Sequence, residues 1–329
     1  MQMTNPWGGM ARRWILALAA CSAAAVFAQD YPSRPVTLIV PFPAGGITDV
    51  SARLVAKKLG EELKQPVVVE NRPGAGASIG AGLVAKAAPN GYTLLVGTLA
   101  NIVVNSYVYK DALPYKPLTD LTPVHGTMAL PLVVVAKGNS PFKTFTAMVE
   151  SARAHPDKLT YGSAGAGSVA HLAAELMQAQ SKVSLVHVPY KGSSPAITDL
   201  LGGNIELAFD YASSTAPHIK SGKLTALAVT GPTRLASLPE VPTLAEAGFA
   251  SAEVTSWIGI FAPAATPRAT LDTLSSAMGR VMANKEVVDT MVAAGGTAFP
   301  LKPAEFKTFI DREHKRWKPI IEKLDIKPN

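Results

Sequence analysis

Cysteine is almost missing from this chain: Cys21 is the only one in 329 residues, and it lies in a segment that reads as a removable leader. A mature chain without cysteine can form no disulfide, use no thiolate nucleophile and hold no cysteine-ligated metal. Its stability must come from a packed core, which a chain this long can build. Charged residues are also sparse, at 17%, and the lysines and arginines are scattered, whereas nucleic-acid binding calls for a clustered basic stripe. The six histidines show no metal-like grouping and H-E-x-x-H does not occur. Gly74-Ala75-Gly76 lacks the third glycine of a dinucleotide loop, and Ser168 stands where a phosphate loop would need lysine. Neither a metal nor a cofactor is expected, and nucleic acid is not an expected partner.

The amino terminus has a definite character. Met10-Ala11-Arg12-Arg13 is a short basic region, Trp14 to Val26 an apolar block, and Val26-Phe27-Ala28 offers the small residues that a signal peptidase reads. The block is too short to span a bilayer, which takes about 20 residues. Residues 1–28 therefore read as a signal peptide, with a mature start near Gln29 in the periplasm. Leu18-Ala19-Ala20-Cys21 resembles a lipoprotein box, but the following residues stay apolar where a lipid-anchored protein has a polar tether; a soluble exported protein is favoured. The Arg12-Arg13 pair does not decide between the two export routes. Losing both arginines lowers the formal charge from +7 to +5, compatible with an anionic ligand.

From Val36 the pattern is strand, glycine turn, helix, repeated. Val36–Val40, Pro66–Glu70 and Tyr92–Val96 read as strands, with helices at Ile47–Leu63 and Ala77–Ala87. A looser region, Asn101–Pro123, precedes the apolar strand Leu130–Lys137. The alternation then restarts through strands near Leu159, Leu185–Val188, Ile205–Phe209 and Leu224–Val229, and a loop with a short helix comes next at Glu240–Gly248. Trp257–Phe261 is a further strand, and the remainder is helical, ending in amphipathic Pro303–Leu324 with Phe306, Phe309 and Ile310 facing inward. Such alternation predicts an α/β protein with helices on both faces of its sheets. The chain builds part of one domain, crosses near Leu130, builds a second and returns near Trp257. The expected division is residues 29–130 plus 255–329 as domain I and 131–254 as domain II, with a cleft between them; Leu224–Val229 fits either sheet.

Candidate chemistry centres on Leu159–Gln178. A strand runs into Gly162-Ser163-Ala164-Gly165-Ala166-Gly167-Ser168, and a helix follows with Val169, Leu172, Ala173, Leu176 and Met177 at helical spacing. Ser168 is placed as N-cap. No acidic side chain lies between Thr160 and Ala174, so the first turn's N–H groups stay positive and open to an anion. An ordinary serine-capped turn is the alternative. Gly76-Ala77-Ser78-Ile79-Gly80 matches G-x-S-x-G, but Asn71–Gly74 separates it from its strand, contrary to the geometry that motif needs. An exported hydrolase using Ser78 or Ser163 with a histidine is the competing function. His171 and Glu175 read as solvated on a polar helix face, and His187 as a core histidine.

Pro41-Phe42-Pro43-Ala44-Gly45-Gly46-Ile47-Thr48-Asp49 resembles the first binding loop of the Bug receptors, the periplasmic substrate-binding proteins of tripartite tricarboxylate transporters. Glu70–Gly76, Tyr161–Ser168 with His171-Leu172, His187–Gly192 and Leu238–Gly248 come in the family's order over the mature chain. The resemblance implies a two-domain periplasmic binding protein of type II, a Venus flytrap, each domain a mixed sheet flanked by helices and joined by two crossover segments. It implies no enzyme but a receptor for a small organic acid that it delivers to membrane permease subunits; output to a sensor kinase is the other possibility, and a monomer is expected. By the same resemblance Ala44, Gly45, Gly46 and Asp49 line the first wall, and Ser163, Ala164, Gly167 and Ser168 the second. Thr98 joins them by its place after the third strand, and Asp210 by its place after the Ile205 strand. Neither glycine-rich loop carries Arg or Lys, so backbone N–H groups, serine hydroxyls and bridging waters are expected to hold the carboxylate. Asp49 and Asp210 either meet a donor on the ligand or serve only a helix dipole and a turn.

Overall fold

The computed structural model describes residues 31–324; the expected signal peptide and Cys21 lie outside the described residues. In chain order the elements are β1 (Val36–Val40), α1 (Ile47–Leu63), β2 (Val67–Asn71), α2 (Ser78–Ala85), β3 (Thr93–Thr98), β4 (Leu121–Lys137), α3 (Phe145–Ala154), β5 (Thr160–Ser163), α4 (Val169–Ser181), β6 (Val186–Pro189), α5 (Ser193–Gly202), β7 (Leu207–Tyr211), α6 (Ala212–Lys220), β8 (Leu224–Val229), β9 (Thr255–Pro263), α7 (Arg268–Ala283), α8 (Lys285–Ala293), β10 (Thr297–Ala298) and α9 (Pro303–Leu324). One-turn helical pieces at Asn105–Val108 and Pro117–Asp120 link β3 to β4.

Periodicity explains why the helices dock as they do. α1 buries Ala52, Val55, Ala56, Leu59 and Leu63, the stripe that a 3.6-residue repeat lays on one face. Val50 is not part of that stripe and is half exposed. α9 buries Phe306, Ile310, Trp317 and Ile321, and its Phe306 ring stands edge-on to Trp257 of β9 at 5.4 Å. That ring reaches the sheet because Gly259 presents no side chain: a Cβ there would lie 2.3 Å from Phe306. Gly97, the cross-strand partner of Gly259, is held to glycine in the same way by Phe261.

β4 organises the topology. Its first part, Leu121–Pro131, pairs antiparallel with β9, and its last part, Leu132–Lys137, pairs antiparallel with β7 and β8. One side of the assembly therefore runs β2-β1-β3-β9-β4, the other β4-β7-β5-β6, with β10 and β8 adding to β4. β4 starts at Leu121, well before the expected Leu130, and Leu121–Pro123 belong to it rather than to a loose region. Pro123, His125 and Gly126 break the apolar run in sequence, and the ladder absorbs them as register shifts on either side of His125-Gly126. The expected short helix within Glu240–Gly248 is a set of turns. There Thr243 and Glu246 cap each other reciprocally and satisfy the backbone without a helix.

Register places the strand ends. Thr98 at the end of β3 lies opposite Ile258, which lies opposite Met128. Tyr211 at the end of β7 lies opposite Leu132. Four residues of β4 separate those two levels, about 13 Å of strand. The parallel strands on both sides thus aim their carboxyl ends at one crossover, Leu130–Leu132 with Val254–Ser256. Buried Thr230, just after β8, ties that crossover together. Its N–H donates to Leu132 O at 2.9 Å and its carbonyl accepts from Val254 N at 2.9 Å. Its hydroxyl accepts from Leu132 N at 2.8 Å and donates to Val254 O at 2.6 Å.

Candidate functional site

Beyond β1, Ala44, Gly45 and Gly46 form an exposed loop running into α1. Gly45 sits at φ +85 with nothing within 4 Å of where a Cβ would be, so this turn leaves its backbone accessible. Gly46 is the N-cap of α1 and supplies no side-chain cap, which leaves the amides of Ile47 and Thr48 without an intrahelical acceptor. Asp49, 3% exposed, turns back on its own loop. Its Oδ2 accepts from Gly45 N at 2.9 Å and Arg53 Nε at 3.0 Å, and its Oδ1 from Asn71 Nδ2 at 2.8 Å. Burial is the largest single influence on its pKa and pushes it up, but Arg53, the Gly45 N–H and Asn71 outweigh it and hold the carboxyl below its usual value. Asn71 also donates to Phe42 O at 3.0 Å, so the end of β2 fixes the loop that follows β1.

The second loop has a denser framework. Ser168 caps α4 in extended conformation, accepting from His171 N at 3.3 Å. Gly167, at φ +75, donates its N–H to His171 Nδ1 at 3.0 Å, which makes Nδ1 the acceptor and puts the proton of neutral His171 on Nε2. Ser163 is buried, donates to Gly165 O at 3.1 Å, and its Oγ lies 2.7 Å from His187 Nε2. The imidazoles of His171 and His187 stack at 4.1 Å with 8° between planes, and His187 also stacks on Tyr161 at 4.8 Å. Tyr161 donates to Glu175 Oε1 at 2.7 Å, and Gln178 donates to the same oxygen at 2.8 Å. His171 and Glu175 are thus not solvated, as their spacing suggested. α4 is buried on most of its circumference, including Ala170, Ala174 and Gln178, so its polar residues meet β5 and β6. The amides of Val169 and Ala170 at the start of α4 have no intrahelical acceptor. Ala164 is half-buried beside them.

Thr98 is the last residue of β3 rather than a residue after it, and both its N–H and its hydroxyl donate to Asn101 Oδ1, at 2.7 and 3.1 Å. Asp210, 4% exposed, lies within β7 opposite Val133 rather than after the strand, because the ladder with β4 runs on to Tyr211. It accepts from Ser193 Oγ at 2.9 Å and Tyr211 N at 2.7 Å. Burial pushes its pKa up to about 6, with those two hydrogen bonds pulling the other way. Burial, reinforced by His171 and opposed by Glu175, pushes His187 down to about 4, and burial lowers His171 as well.

Sequence reasoning passed over Arg53 and Asn71 on the first wall, Asn101 beside Thr98, and the roles of Tyr161, His171 and His187 on the second. The i to i+4 step from Gly167 to His171 was a readable signal; the pairing of Asn71 with Asp49 had none. As for nucleophilic chemistry, Ser78 is buried and its Oγ accepts from Asn105 Nδ2 at 3.0 Å. Ser163 does meet a histidine, but one whose low pKa makes a poor base at neutral pH, and that histidine has no hydrogen-bonded carboxylate among the described residues.

Known proteins share this architecture and much of this sequence. The family model for a tripartite tricarboxylate transporter family receptor matches residues 51–326. Protein BugT of Bordetella pertussis is 37% identical over 305 residues, covering 93% of this chain and 94% of that one. Rpa4515 of R. palustris, solved with adipate, is 33% identical with a TM-score of 0.81, covering 91% of this chain and all of that one. MatC of Rhodopseudomonas palustris, solved with bound malate, is 32% identical with a TM-score of 0.77, covering 88% of this chain and all of that one. The matching family is one of receptors, and these matches lend the hydrolase alternative no support. No helix among the described residues is long and apolar enough to cross a membrane.

Proposed function

Because this chain belongs to the tripartite tricarboxylate transporter family of receptors, we propose that it takes a small dicarboxylate from the periplasm, closes on it and hands it to a membrane permease. The structures of relatives with adipate and malate support that ligand class. One observation carries the proposal: strands of both halves aim their carboxyl ends at a single crossover, and each half brings a helix start whose loop holds no basic side chain. Within the described residues, 31–130 with 255–324 form one lobe and 131–254 the other. One ligand carboxylate meets Ala164, Gly167, Ser168 and the first amides of α4; the other end faces Ala44, Gly45 and Gly46. Asp49 and Ser163 act by shaping these loops, since their oxygens are already engaged. Thr98 and Asp210 border the cleft floor, with Asp210 able to accept from a ligand hydroxyl. No reaction is assigned to Ser78 or Ser163. The chain is exported through its leader, free of a lipid on Cys21, and acts as a monomer; presentation to a sensor kinase is the alternative output.

The test is thermal unfolding against a panel of organic acids that includes malate and adipate. At a concentration one hundred times its dissociation constant a ligand adds about 2.7 kcal/mol, a readily measured rise in Tm. Ser168→Asp keeps the cap but fills the anion position with charge, so it should retain the fold and lose the response. No response to any acid at millimolar concentration would overturn the ligand class, and an unchanged response in Ser168→Asp would move the pocket elsewhere.

A further inference from the structure

A cavity of about 320 Å³ lies against the crossover, lined by Pro131 of β4, Thr255 and Trp257 of β9, Phe299, and Phe309, Glu313 and Arg316 of α9, among others. No residue of Ala44–Asp49 or Ser163–Ser168 lines it. Side chains alternate along a strand, so Thr255 and Trp257 face this cavity while Ser256 between them faces the other way, toward Tyr211 at the end of β7. The cavity is thus separate from the two glycine-rich loops, and a ligand role for it is independent of theirs.

Its walls are aromatic. Phe309 stands edge-on to Trp257 at 5.9 Å and to Phe299 at 4.9 Å. Into this apolar surface comes Glu313, only 7% exposed. Its Oε2 accepts from Trp257 Nε1 at 3.4 Å and from Trp317 Nε1 at 3.2 Å. Its Oε1 has no hydrogen-bond partner among the described residues. Arg316 does not fill that place: it is exposed, donates to the Glu253 carbonyl and lies over the Trp317 ring at 5.4 Å. That oxygen is open to the cavity, where water or a donor on a ligand can complete it. An anion would be repelled by Glu313, since the cation of Arg316 is turned to the Glu253 carbonyl, and a neutral apolar guest would displace water from the oxygen without replacing its hydrogen bond. An ammonium group satisfies both the oxygen and the ring faces, which attract cations.

We propose that this cavity is a second ligand site, which binds a small organic ammonium with an aromatic or apolar body. Its N–H donates to Glu313 Oε1, and its body packs against Trp257, Phe299 and Phe309. The experiment tracks the indole N–H resonances of Trp257 and Trp317 in isotope-labelled full-length protein during titration with benzylammonium chloride, benzyl alcohol and benzoate. Benzylammonium should shift both resonances saturably and bind about tenfold more tightly than benzyl alcohol, the scale of one charge-assisted hydrogen bond. Benzoate should not bind. Glu313→Gln keeps an acceptor for both indoles and should erase the preference for the ammonium, while Phe309→Leu should weaken both benzyl compounds. Absence of saturation, equal binding of alcohol and ammonium, or a preference that survives in Glu313→Gln would each overturn the proposal.

Discussion

Asp49 shows how one side chain can shape a binding loop without occupying it. Both of its oxygens are spent on Gly45, Arg53 and Asn71, so truncation leaves an N–H, a guanidinium and an amide without their acceptor. Asp49→Ala should cost about 2 kcal/mol in urea unfolding and also weaken carboxylate binding by calorimetry, because Ala44–Gly46 loses its anchor. On the second wall the pH dependence is divided between two groups of opposite sign. His187 takes its proton at about 4 in the folded chain against an ordinary 6.5, so stability is lost as pH falls through that interval, on the order of 2 kcal/mol. Asp210 is pushed up to about 6 from 3.8, so its contribution rises as pH falls from 6 toward 4. Asp210→Asn should therefore make the unliganded protein more stable at neutral pH, by at most about 3 kcal/mol, and steepen its loss of stability on acidification. Urea unfolding at several pH values checks both. Of these residues Asp49, Gly167 and Ser168 were legible, being local to their own turns. Asn71 and His187 were not, since each acts on a loop more than twenty positions away in sequence.

Elements differ in how far local pattern defines them. Ile47–Leu63 and Pro303–Leu324 have the bounds their periodicity predicts, because a helix's hydrogen bonds are internal to the segment. β4 is the contrary case. Its first residues are strand only because β9 lies beside them, and no apolar alternation marks Pro123, His125 and Gly126 in advance. The crossover is likewise a property of pairing, and Thr230 is its fastening. Thr230→Val keeps the shape but leaves Leu132 N without its hydroxyl acceptor and Val254 O without its hydroxyl donor, both in the interior. The expected cost is on the order of 2–4 kcal/mol. Hydrogen exchange at Leu132 should rise in the variant above that at β1, which lies in a different part of the sheet.

At the scale of the whole molecule, the proposed function requires the two lobes to close on the ligand about the crossover where both sets of strands end. Binding malate or adipate should then reduce the radius of gyration in X-ray scattering, and Ser168→Asp should show no such reduction. A rise in Tm without compaction would mean that the ligand binds without closing the lobes. The doubled alternation of strand and helix made the α/β class and the existence of two halves readable, because apolar periodicity and glycine turns are written residue by residue.

What the sequence by itself determined is therefore everything that a segment can decide alone: its helices, the serine cap of α4, the glycine turns, and a family resemblance spread along the chain. What only the tertiary structure decided is which groups meet across distance: that Asn71 of β2 reaches Asp49, that His171 and His187 stack beneath the second loop, and that Glu313 takes both indoles at a cavity behind the crossover. Such contacts depend on strand order and register, and these are set by the burial of the whole core rather than by any neighbourhood of residues.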